Sequence, residues 1–81
     1  MNGYRFEISP LRITNTSDAP RGSNVYYKCS YCGSIVPSQP ADAIACACNN
    51  IYIDPDYIRL VVRDFAGFNI LIKVKSKQFP D

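Results

Sequence analysis

Cys29-Ser30-Tyr31-Cys32-Gly33 and, after twelve intervening residues, Cys46-Ala47-Cys48-Asn49 are the stretch on which the fold turns. They hold all four cysteines of the chain, which has no histidine. Each pair brings two soft thiolates to one point, and two such points make a tetrahedral site suited to Zn²⁺ or iron. Without histidine, a Cys₄ site of Cys29, Cys32, Cys46 and Cys48 is the only soft-metal site the chain can build.

The local chemistry supports this reading. In Cys-x-x-Cys-Gly the backbone turns tightly and amide groups can point at the sulfurs, stabilising thiolate charge. Gly33 supplies the freedom to adopt positive φ after the second ligand. Asn49 holds the matching position after Cys48, and asparagine tolerates left-handed geometry better than most residues. A one-residue spacer on a strand would put Cys46 and Cys48 on the same side.

Working outward, the chain has 81 residues, which makes one domain, 1–81, small enough to need a staple. A structural Zn²⁺ would serve, with apparent binding energies on the order of 10–16 kcal/mol appearing largely as folding energy. The 47% apolar content fits a folded protein. No apolar run approaches the ~20 residues of a membrane span. The start, Met1 to Glu7, lacks an apolar signal core, so a cytoplasmic setting with reduced thiols is expected. Disulfides remain the alternative, with three pairings open. The formal charge of +2 treats the cysteines as neutral. Four thiolates and one dication add −2, which leaves the metallated domain near neutrality.

Tyr4, Phe6 and Ile8 alternate with Arg5 and Glu7 as a short strand with one apolar face. Leu11 and Ile13 suggest a second short piece. Residues 14–24 read as an exposed loop. Val25 to Lys28 lead as a strand into Cys29, Ser34 to Val36 form a return strand, and Ile51 to Ile53 form another. Residues 57–63 and 69–75 read as a hairpin around Phe65-Ala66-Gly67, with Gly67 left-handed at the third loop position. That register sets Val62 opposite Ile70, Leu60 opposite Ile72 and Ile58 opposite Val74, so one face is apolar. The other face then carries Tyr57, Arg59, Val61 and Arg63 beside Leu71, Lys73 and Lys75, with Arg59 facing Lys73, an unfavourable like-charge pair.

The segment over residues 25–53 resembles a zinc ribbon through Tyr27-Lys28-Cys29-Ser30-Tyr31-Cys32-Gly33. The second half departs from the usual pattern, with a shorter spacer and Asn49 where glycine is typical. Rubredoxins share the first knuckle but not this second one, which disfavours redox iron. The resemblance implies a small all-β zinc ribbon, with the hairpin and the N-terminal strand added to it. Cys46-Ala47-Cys48-Asn49-Asn50-Ile51-Tyr52-Ile53-Asp54, with Tyr57 and Arg59, looks like small one-domain bacterial proteins, some of which are immunity factors that neutralise a toxin.

A closed Cys₄ site has no open position for water or substrate, so a structural zinc is expected, not catalysis. Asp54 and Asp56 flank Pro55 as turn chemistry and not as a catalytic pair. A non-catalytic protein-binding module follows, with a toxin as one candidate partner and nucleic acid as the alternative. No membrane and no small-molecule substrate are expected. The partner surface would be Tyr31, Tyr57, Arg59, Arg63, Lys73 and Lys75, since tyrosine and arginine are frequent binding hot spots. Most aromatics should pack in the core or over the metal, with Tyr31 exposed on its knuckle.

Overall fold

A computed structural model of the chain describes residues 3–56 and 59–76. Seven strands are formed in chain order: β1 (Gly3–Ile8), β2 (Val25–Cys29), β3 (Ile35–Pro37), β4 (Ile44–Ala45), β5 (Ile51–Asp54), β6 (Arg59–Val62) and β7 (Phe68–Ser76). They make two antiparallel sheets, ordered β1-β7-β2-β3 and β4-β5-β6. Single turns of 3-10 helix, at Thr16–Asp18 and Phe65–Gly67, are the helical elements among the described residues. No helix among the described residues is long and apolar enough to cross a membrane.

Val, Ile and Tyr dominate the strands because branched and aromatic side chains fit a pleated, half-buried surface. Their alternation decides the core. Val25, Tyr27 and Cys29 of β2 and Phe68 and Ile70 of β7 face inward from the first sheet. Ile51 and Ile53 of β5 and Leu60 of β6 join them from the second, with Ile13 added from the loop after β1. Full burial of each such aliphatic side chain stabilises by about 1.5–3 kcal/mol. Tyr27 is buried, and its hydroxyl donates to the Pro20 carbonyl at 2.6 Å, so the polar tip is satisfied.

The hairpin expected over 57–63 and 69–75 does not form. β6 pairs with β5, placing Leu60 opposite Ile53 and Val62 opposite Ile51. β7 lies in the other sheet between β1 and β2, with Ile70 opposite Tyr27 and Ile72 opposite Glu7 and Val25. Tyr57 and Ile58, and with them the expected Ile58–Val74 pair, lie outside the described residues. The inward set Leu60, Val62, Ile70 and Ile72 is nevertheless as the alternation implies. A period of two reports which face is apolar and is silent about which strand is the neighbour. Electrostatics favours the observed pairing. Arg59 stands opposite Asp54 instead of Lys73, and Lys73 stands opposite Phe6.

Residues 64–67 carry the chain from one sheet to the other. Asp64 caps the 3-10 turn, its Oδ1 accepting from the Ala66 amide at 2.9 Å. Gly67 is therefore not left-handed, contrary to expectation; the glycine with positive φ is Gly33. The need for glycine at 67 is one of space, since an added Cβ would lie 2.5 Å from the Tyr31 ring.

Candidate metal centre and sheet faces

Two turns present the cysteines. Cys29 ends β2, its amide donating to the Ser34 carbonyl at 3.0 Å while the Gly33 amide returns to the Cys29 carbonyl at 2.8 Å. Gly33 sits at φ 77°, as its place after Cys32 requires. The second pair is not on a strand, as the spacer had suggested. Cys46 follows β4, and the Asn49 amide closes a turn onto its carbonyl at 2.9 Å. Asn49 adopts φ 64°, the left-handed geometry expected of it. The Ile51 amide donates to Cys46 Sγ at 3.3 Å, an N–H···S contact that stabilises a thiolate.

The four Sγ atoms lie within 4.8 Å of one another. Cys29 Sγ is 3.5 Å from Cys48 Sγ, and Cys46 Sγ is 3.7 Å from Cys48 Sγ. A tetrahedron with metal–sulfur bonds of about 2.3 Å has edges of about 3.8 Å, close to both separations. Disulfide sulfurs would stand about 2.0 Å apart, and all four cysteines are free. The donor set fits a soft cation. Cys29 and Cys46 are buried, Cys32 is half-buried and Cys48 is exposed, so one corner of the cluster faces solvent.

The electrostatics match this geometry. Hydrogen bonds from the Ser34 hydroxyl and amide, and from the Cys48 backbone, lower the Cys32 thiol to about 5, against the burial that raises it. The Asn50 amide pulls the Cys48 thiol down, but hydrogen bonding to Cys29, burial, and the Cys32 and Cys46 sulfurs together push it up to about 12. The Cys32 thiolate forms readily, and Cys48 resists a second negative charge beside it. A bound cation removes that resistance.

Sequence reasoning missed three supporting residues. Ser34 Oγ lies 3.3 Å from Cys32 Sγ and accepts from the Ala47 amide at 3.2 Å, so one hydroxyl links both cysteine turns. A short hydroxyl side chain two positions after Cys32 was the available signal. Buried Asn50 clasps Asp64, donating to its carbonyl at 3.0 Å and accepting from its amide at 2.8 Å. Asp64 in turn accepts from the Tyr31 hydroxyl at 2.7 Å. This bond raises the Tyr31 phenol above its ordinary range, aided by burial and the charges of Asp64, Cys29 and Cys48. It lowers the Asp64 carboxyl, as does the bond from the Ala66 amide, with burial opposing. Tyr31 is exposed, as expected between two ligands.

The remaining expected surface residues do not share one face. Arg59 and Arg63 are exposed at β6 and just beyond it, in the second sheet, while Lys73 and Lys75 are on β7 in the first. Tyr57 lies outside the described residues. The apolar side of β1 faces outward instead of into the core: Tyr4, Phe6 and Ile8 are exposed. Phe6 and Tyr26 meet edge to face across β7 at 5.1 Å, and Lys73 Nζ stands 4.5 Å from the Tyr4 ring centroid. The aromatics of β1 thus belong to a surface and not to the interior.

Comparison with known proteins finds no matching family model, no matching curated protein and no matching solved structure.

Proposed function

We propose that the domain is a non-catalytic binding module whose two sheets are stapled by a structural Zn²⁺ on Cys29, Cys32, Cys46 and Cys48, in the manner of a zinc ribbon. The convergence of four sulfurs from two tight turns carries this reading. Four protein donors fill a tetrahedral shell and leave no place for a substrate or an activated water. Zinc binding also joins the strand β2 to the turn after β4, and so one sheet to the other. The left-handed Gly33 and Asn49, the Ile51 amide on Cys46 and the Ser34 bridge are the supports such a centre needs.

Native mass spectrometry of the purified chain should give one Zn²⁺ per polypeptide, with the apparent mass shift lost on strong chelation. Chelation should also abolish the dispersed amide spectrum, because metal binding free energy is folding free energy in domains this small. Retention of the fold with four free thiols and no metal would overturn the reading. Cys29→Ser and Cys48→Ser should each destabilise severely, as loss of a metal staple is among the largest single-site effects.

A further inference from the structure

We propose that the outer face of the four-stranded sheet binds single-stranded nucleic acid. The register puts Tyr4, Phe6 and Ile8 of β1 on one side of the sheet with Lys75, Lys73 and Leu71 of β7, and places Tyr26 and Lys28 of β2 beyond them. Among the described strand residues, the charged ones on that side are Lys28, Lys73 and Lys75, all cationic, and Arg12 reaches Asn69, opposite Lys28, at 3.4 Å. Glu7 points to the opposite side, where it pairs with Arg5 at 2.9 Å. The outer side of the second sheet differs, since it sets Asp54 beside Arg59. A polyanion therefore meets uncompensated positive charge on the first sheet and a mixed surface on the second.

The aromatics select the class of polyanion. Tyr4 is 65% exposed and Phe6 43% exposed. Lys73 Nζ lies 4.5 Å from the Tyr4 centroid and 5.9 Å from that of Tyr26, so cation and rings occupy one spot. Bases need flat apolar partners and phosphates need ammonium groups at adjoining positions. Single strands offer both together, whereas a duplex hides its base faces. An open sheet face suits an extended strand better than an enclosed pocket would.

This inference rests on reading the domain as a binding module, and zinc content measured on the same sample keeps the two separate. Zinc-verified protein would be titrated with fluorescent deoxythymidine and uridine decamers, and with a duplex of equal length, at low and at physiological salt. Binding to the single strands should exceed binding to the duplex. Its logarithmic salt slope should fall by about 1.4 when Lys73→Gln and Lys75→Gln are combined, at about 0.7 per phosphate contact. Phe6→Ala and Tyr4→Ala should each weaken binding by about 5- to 150-fold with the amide spectrum unchanged, as loss of a stacking platform does. Amide shifts on titration should map to β1, β2 and β7. Any of four results would overturn the proposal: no single-strand binding at low salt, equal duplex binding, shifts confined to Arg59 and Arg63, or a self-association abolished by Phe6→Ser. A folded, zinc-free sample that still bound the decamers would sink the zinc reading and leave this one standing.

Discussion

At the scale of single residues, Gly67, Ser34 and Asp64 carry testable loads. Gly67 is required by the ring of Tyr31, not by backbone conformation. Gly67→Ala should cost about 1–3 kcal/mol by overpacking, since the ring is tethered through Asp64 and cannot move without losing that bond. Tyr31→Ala should relieve most of that cost, and a double-mutant cycle in urea reads the difference directly. Ser34→Ala should lower zinc affinity by about 10- to 100-fold, measured by competition with a chromophoric chelator, because it removes the hydroxyl joining Cys32 to the Ala47 amide. Asp64 gives the pH signature. Its folded carboxyl is lowered from 3.8, so its contribution to stability is complete above that value and is lost as pH falls through the lower folded one. Tyr31→Phe deletes the main cause of the shift, and carboxyl titration by NMR should then place Asp64 nearer its ordinary value. An unchanged titration would mean that the hydrogen bond is not formed.

At the scale of elements, the central question is which strand neighbours which. Hydrogen exchange should protect the β5 and β6 amides as partners, from Ile51 with Val62 to Asp54 with Arg59, with no cross-strand contacts between β6 and β7. Leu60→Ala should cost about 2–5 kcal/mol, because Leu60 is buried against Ile53 across the ladder. These partners were not legible in the sequence, although the strands and their buried faces were. Alternation is a property of one strand, whereas pairing depends on residues far along the chain. Arg59 carried a hint, since its like-charge clash with Lys73 in a hairpin is exchanged for Asp54. The cysteine turns were legible because everything they need is local: ligand spacing, Gly33 and Asn49. Tyr4, Phe6 and Ile8 misled for the opposite reason. An apolar strand face looks the same whether it meets a core or solvent, and only the register with β7, which sets Tyr4, Phe6 and Ile8 on the side away from Ile70 and Ile72, leaves them uncovered.

At the scale of the whole molecule, the order β1-β7-β2-β3 puts an interior strand late in the chain. The second sheet pairs entirely within residues 44–62, and its link to β2 through the cysteines is complete at Cys48. β1 and β2, by contrast, flank a gap until residues 68–76 arrive. During synthesis the half that carries the cysteine cluster can therefore close while the first sheet is still open, its two waiting edges unpaired. Tyr4, Phe6 and Tyr26 come together with Lys73 and Lys75 only when β7 slots between strands made long before it. A nascent chain has the four cysteines of its candidate metal site before it has its lysine-bearing face, so on the nucleic-acid reading proposed above it would pass the RNA-rich surroundings of the ribosome with that face still unassembled.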